Sequence, residues 1–207
     1  PEKVGMNEAR IGAAQGMYYS EAGGGLIMIE TDVTTGGGKV TSSGSLGKVM
    51  GESIEIAWRV ARQHLRQPLQ RTLPTADIHI HLPDGATPKD GPSAGAGMVA
   101  AMVSALEHRK VKHTIAVTGE INLRGQVTAI GGVREKLAGA LRCGVSEVIV
   151  PLANAKDVEQ LPQELREAVK VHLVSEISEV LNLMLEPRSE APLNLGAQVG
   201  AHEEASA

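Results

Sequence analysis

Ser93 stands in the run PKDGPSAGAG (88–97), where several local features agree on one chemistry. A Gly-Pro pair precedes it, and the residues that follow, Ala94 and Gly95, carry almost no side chain. Backbone N–H groups at such a helix start are exposed, so those of Ser93 and Ala94 are candidates to hold a developing oxyanion beside a serine nucleophile. The competing reading is an ordinary N-cap, a role that serine often fills. An attacking hydroxyl needs a base, and no histidine here has surroundings that suggest one. A neutral lysine serves if burial lowers its pKa from about 10.4 by roughly 3 units, at about 4 kcal/mol of differential solvation. Lys136 is the candidate, because it falls in the first turn of a helix opened by GGV (131–133), where the helix dipole disfavours an ammonium. Thr118, at the end of a strand, is placed to hold its amine. The competing reading of Lys136 is a solvated lysine paired with a nearby glutamate.

Other chemistry-bearing patterns are weaker. GAGMVA (95–100) fits G-x-G-x-x-A, with Glu120 at about the right distance beyond it. That fingerprint works when its first glycine directly follows a strand, and here a long loop intervenes, so helix packing by small residues is expected instead. GGGK (36–39) approaches a phosphate loop but has Val33 where the first glycine belongs and Val40 where Ser or Thr should meet magnesium. His79 and His81 alternate on one strand with Asp77 in register, a potential metal-ligand row. Two solvated or hydrogen-bonded histidines are the simpler reading, and no metal is expected. Cys143 lies beside Gly144 with nothing nearby to lower its pKa, and reads as structural.

Composition narrows the class. With 207 residues and 42% hydrophobic content, the chain can form a core without staples. There is no Phe, one Trp and two Tyr, so stacking platforms for bases are lacking, and a net charge of −4 provides no basic footprint for nucleic acid. A single cysteine excludes an internal disulfide and fits a reducing compartment, with cytoplasm as the default. No apolar run approaches the roughly 20 residues of a membrane span, and PEKVGMNEAR lacks the order of a signal peptide. The start at Pro1 rather than Met suggests part of something longer.

The elements that must position these residues follow from periodicity. Segments 10–21 and 24–33, partly alternating and separated by glycines, read as a strand pair. KVTSS (39–43) reads as a third strand after a hairpin turn at Gly36, Gly37 and Gly38. Leu46 to about Leu65 repeats at three and four residues, giving an amphipathic helix. DIHIHL (77–82) is a strand, 83–92 a loop, and 93–106 a helix of small residues. TIAVTG (114–119) is a strand, expected to pair with LRGQVTAI (123–130). A helix from about Arg134 to Arg142, strands at 146–151 and 169–174, and helical turns around 155–168 and 178–185 complete the order. Interleaved strands and helices predict one mixed α/β or α+β domain. The stretch from Pro187 has no period and reads as a flexible tail.

Together, PDGATPKDGPSAG (83–95), TGEINLRGQVTAIGGVREKL (118–137) and GSLGKVMGES (44–53) resemble the proteolytic domain of Lon proteases of the bacterial and mitochondrial type. The resemblance covers about 10–185. It implies an α+β domain over 1–186, with mixed, mostly antiparallel sheets packed with helices, and a tail at 187–207. It also implies a Ser/Lys dyad, with Ser93 as nucleophile and Lys136 as general base. Thr118 matches the family threonine that bonds the lysine, and Asp90 and Glu120 match acidic positions near the site. Tyr18-Tyr19-Ser20 stands where relatives often carry Ala-Trp-Thr, a departure that bears on peptide docking. The family implies unfolded polypeptides as substrates, a homohexameric ring, and ATP with magnesium on a separate unfolding module. No cofactor is expected in this domain, nor a membrane or nucleic-acid partner. Two rival classes remain. A GHMP-type phosphate-binding domain would carry a Gly-Leu-Gly-Ser-Ser run, absent here, and a non-catalytic Lon-like module would lack the Ser/Lys pair.

Overall fold

The computed structural model describes residues 5–66, 69, 76–84, 89 and 91–188. The two glycine-separated segments near the start form the expected antiparallel pair. After a short strand β1 (Arg10–Ile11), β2 (Ala13–Ser20) runs against β3 (Gly23–Thr35), with Ala13 opposite Glu30 and Ser20 opposite Gly23. From Ile29 to Val33 the more buried side of β3 repeats every second residue, with Ile29 fully buried, whereas Leu26–Ile29 is continuously apolar and Leu26 is buried as well, in a different core from Ile29.

Strand β4 (Val40–Ser43) and helix α1 (Lys48–Gln63) follow, then β5 (Ala76–His81). The hairpin expected around Gly36–Gly38 does not form. β5 pairs antiparallel with β3 on one side and parallel with β4 on the other, so it lies between the two strands that the hairpin would have joined. The reason is a contact between segments far apart in the chain: Lys39 N–H donates to Asp77 Oδ1 at 2.7 Å and Ile78 N–H to the Lys39 carbonyl at 2.8 Å, which fastens the turn to β5.

Helix α2 (Gly95–Glu107) is buried along almost all of its length, as its small and apolar residues on every side demand. It is followed by β6 (Lys110–Val111), β7 (Ile115–Val117), β8 (Glu120–Ile121) and β9 (Val127–Thr128). The segment 123–130 was expected to pair with 114–119. Instead β9 pairs with β8 in a small hairpin, because β7 already has β2 and β10 (Glu147–Pro151) as neighbours. The Asn122 side chain closes that hairpin by accepting from the N–H of Arg124 and of Gln126, both at 3.0 Å. Helix α3 (Val133–Arg142) precedes β10, and a 3₁₀ turn (Leu152–Asn154), α4 (Ala155–Glu159), α5 (Gln163–Ala168), β11 (Lys170–Val174) and α6 (Ile177–Met184) complete the chain order.

The main sheet has the order β11-β10-β7-β2-β3-β5-β4, with β1–β6 and β8–β9 as separate pairs. Pairing is antiparallel along β2–β3–β5 and in both small sheets, and parallel at the two flanks of the main sheet. This is an α+β fold with mixed sheets, as expected. One apolar core lies under α1, α2 and α6, and a second gathers α3 against β2, β7 and β10. Among the described residues no helix is long and apolar enough to cross a membrane. The expected tail falls almost wholly outside the described residues.

Candidate active site

Three main-chain hydrogen bonds and two close glycine contacts bring the candidate residues together. Ser93 lies in a turn just ahead of α2, and its carbonyl accepts the Gly119 N–H at 2.9 Å, while the Gly119 carbonyl accepts the Ala96 N–H at 3.0 Å. The residue next to Thr118 is thus laced to both sides of the Ser93 turn. Thr118 itself is held by its N–H on the Ile149 carbonyl, at 3.1 Å. On the other side, α3 settles onto the β2–β3 hairpin through glycines: a Cβ on Gly139 would lie 2.2 Å from the Gly24 carbonyl carbon, and one on Gly24 would lie 1.9 Å from the Glu135 oxygen. Any side chain at either position would lift α3, and Lys136 with it, off the sheet.

Lys136 is only 1% exposed, which rules out the solvated reading. Its Nζ donates to Thr118 Oγ1 at 3.0 Å and sits 5.5 Å from the centroid of the Tyr19 ring. No carboxylate pairs with it among the described residues. Burial without an opposite charge pushes its pKa down from 10.5 to about 8. That fall corresponds to about 3 kcal/mol against the charged form.

Ser93 and Lys136 line one pocket of about 520 Å³, with Tyr18, Tyr19, Gly91, Pro92, Glu120, Ala129, Ile130 and Gly131. No hydrogen bond joins the Ser93 hydroxyl to the Lys136 amine among the described residues; such contacts often tighten only when substrate is present. Ser93 is not the cap of α2. Ala94 occupies that position and no side chain caps the helix. Gly95 N–H is spent on the Pro92 carbonyl and Ala96 N–H on Gly119, whereas the N–H groups of Ser93 and Ala94 have no acceptor among the described residues. Glu120 lines the pocket with an exposed side chain, and Asp90 falls outside the described residues.

The rival motifs resolve as packing and hydrogen bonding. Gly95 and Gly97 lie within α2, where a Cβ on Gly97 would come 2.7 Å from Ile29, so that glycine serves helix-to-sheet contact. His79 has both ring nitrogens engaged, Nδ1 with Thr41 Oγ1 at 2.7 Å and Nε2 with Ser43 Oγ at 2.8 Å, and the latter hydroxyl also meets His81 Nδ1. Among the described residues no group of three or more His, Cys, Asp or Glu is arranged to hold a metal ion.

One contributor was marked in the sequence for a different reason, and a second escaped it. Tyr19 packs its ring across Gly132, which has φ +68 and where a Cβ would lie 2.3 Å from the ring. The sequence had set Tyr18-Tyr19-Ser20 apart for peptide docking, but not as a neighbour of the turn into α3. Asn154, 4% exposed, bonds both main-chain groups of Ile130, and nothing in the sequence around it foretold that.

Residues 2–187 match the family model described as Lon protease (S16) C-terminal proteolytic domain. Among curated relatives, a Lon protease of Escherichia coli is 46% identical over 182 residues, 87% of this chain and 23% of the relative. A Lon protease of Buchnera aphidicola is 45% identical over 179 residues, 86% of this chain and 23% of the relative. Lon protease 2 of Thermus thermophilus is 45% identical over 181 residues, 86% of this chain and 22% of the relative. The chain spans somewhat under a quarter of the length of these relatives.

Proposed function

The chain belongs to the Lon protease family, as a serine peptidase domain, and from that premise we propose that Ser93 and Lys136 form its catalytic dyad and cleave unfolded polypeptides. The observation that carries this reading is the Lys136 amine, buried, uncompensated by any carboxylate among the described residues and brought to about 8, in the same pocket as Ser93. Neutral Nζ takes the Ser93 proton as Oγ attacks the scissile carbonyl carbon. The Ser93 and Ala94 N–H groups stabilise the oxyanion, the proton passes from Lys136 to the leaving amine, and acyl-Ser93 remains. Water then attacks the ester, Lys136 takes one of its protons and returns it to Ser93 Oγ, and the carboxylic acid product leaves, giving its remaining proton to solvent. Thr118 orients the amine by accepting one of its hydrogens, and Glu120 stands as an acidic support at the pocket mouth, with Asp90 assigned a similar part from the family pattern.

Peptide docks as an added strand. β2 meets β7 only at Gly16 opposite Val117, so beyond that point Met17–Ser20 has β3 as its one strand neighbour among the described residues. The pocket lies between Tyr18 and Tyr19 at that open edge and Ala129–Gly131 facing it, which suits recognition through the main chain. In this reading ATP and magnesium act on a separate unfolding module, the whole protein is a cytoplasmic homohexamer, and no cofactor, membrane or nucleic acid acts on this domain.

The test is cleavage of an unfolded protein and of a fluorogenic peptide by the unmodified protein, Ser93→Ala and Lys136→Ala. Both substitutions should lower turnover by roughly 10³-fold or more. Unmodified activity should rise with pH, with a midpoint near 8, because the base works only when neutral. A flat profile from pH 6 to 9, or survival of cleavage in either variant, would remove the dyad.

A further inference from the structure

The wall of the pocket opposite β2 is held by a side chain that takes no part in the chemistry. Asn154 lies at the end of the 3₁₀ turn after β10 and is nearly fully buried. Its Oδ1 accepts the Ile130 N–H at 3.0 Å and its Nδ2 donates to the Ile130 carbonyl at 2.8 Å. The second Nδ2 hydrogen goes to Asp157 Oδ2 at 2.7 Å. A flipped amide would set oxygen against both the Ile130 carbonyl and the Asp157 carboxylate, so the orientation is fixed by chemistry. The amide thereby offers Ile130 one acceptor and one donor, just as a neighbouring β-strand would.

That substitution has a consequence for the groups on either side. Ala129, Ile130 and Gly131 all line the pocket, and neither Ala129 nor Gly131 makes a main-chain hydrogen bond among the described residues. Two residues later the chain enters α3, where Lys136 N–H bonds the Gly132 carbonyl at 2.9 Å. We propose that Asn154 is a positioning residue for substrate: it stands in for a strand behind segment 129–131 and so presents the main-chain groups of Ala129 and Gly131 to an extended peptide. This rests on the reading of Ser93 and Lys136 as the dyad. Asn154 makes no hydrogen bond to Ser93, Lys136 or Thr118 among the described residues, so in this proposal it acts on peptide binding and leaves the proton transfer as it was.

The experiment uses the full-length protein supplied with ATP, comparing it with Asn154→Ala and Asp157→Asn. Three readouts are taken: KM and kcat for fluorogenic peptides of increasing length, labelling of Ser93 by a small fluorophosphonate, and the pH midpoint of cleavage. Asn154→Ala should raise KM by roughly 10–100-fold for long peptides, since small misplacements of a docking group carry costs of that order. Its gain in kcat/KM with peptide length should shrink, while labelling of Ser93 and the midpoint near 8 stay as in the unmodified protein. Asp157→Asn keeps an acceptor for the Asn154 amide and should stay within about threefold of unmodified KM. Unchanged KM and length dependence in Asn154→Ala would overturn the proposal, as would a loss of labelling and cleavage in parallel. Should that variant fail to fold, Asp157→Ala, which frees the amide without removing it, must raise KM in the same length-dependent way or the proposal falls. Failure of the unmodified protein to label at Ser93 would instead sink the dyad itself, and this inference with it.

Discussion

At the C-terminal end of α2 the Glu107 carboxylate is wholly buried between two cations, with Arg109 Nη1 3.3 Å and Arg188 Nε 3.1 Å away, and it also accepts the main-chain N–H of Arg66 at 3.1 Å. Near the N-terminal end of the same helix, the pocket beside Ser93 buries Lys136 with a neutral hydroxyl as its one hydrogen-bond partner among the described residues. A compensated buried charge ties elements together, here the ends of α1 and α2 to the segment at Arg188. An uncompensated one costs stability and shifts the proton equilibrium instead. Among the described residues, charge is thus satisfied where elements are joined and left uncompensated at the lysine proposed as the base.

The largest expected effect separates the two regions by sign. Lys136→Met should abolish cleavage and yet raise stability at pH 7 by up to about 3 kcal/mol, since the fold no longer buries an ammonium. Glu107→Gln should do the reverse, losing about 3 kcal/mol because Arg109 and Arg188 are left without their carboxylate, while activity per folded molecule stays within about twofold. Denaturant titration alongside peptide turnover reads both, and a destabilised Lys136→Met would break the comparison.

Next in size is the pH dependence of folding. With Lys136 near 8 in the fold and at 10.5 when unfolded, the unfolded chain holds a proton between those values that the folded chain has released. Stability of the unmodified protein relative to Lys136→Met should therefore climb as pH rises from 8 to 10.5 and be flat below 8. The smallest effect belongs to Thr118→Val. Removing the oxygen that accepts from Nζ takes away support for the ammonium and the amine's orientation together. The activity midpoint should shift below 8 and the plateau should fall roughly tenfold. A midpoint that rises would mean that the hydroxyl favours the neutral amine.

Much of this was legible in the chain. Alternation in 77–82 and helical spacing in 46–65 predicted β5 and α1 because those periods are local. Strand partners were not legible where competition was non-local: Asp77 captured Lys39 and moved β4 to the far side of β5, and β10 took the place at β7 that 123–130 had been expected to fill. The role of GGG (23–25) as a seat for α3 was equally hidden, because it depends on Gly139 more than a hundred residues away. Asn154 carries no motif, and its meaning arises only from the loop that folds back onto it.

By itself the sequence determined which atoms are available: one serine among small residues before a helix, one lysine at the start of another, and a threonine at a strand end. Short-range geometry and side-chain size decide these, and both are written in the order of residues. Only the tertiary structure decided that Ser93 is no helix cap, that Lys136 is buried with no carboxylate partner among the described residues, and that Thr118 reaches its amine. The physical reason is that a pKa depends on how much water and opposite charge surround a group. Those surroundings are contributed by β2, β3 and the 118–119 corner, far from Lys136 along the chain and next to it in the fold.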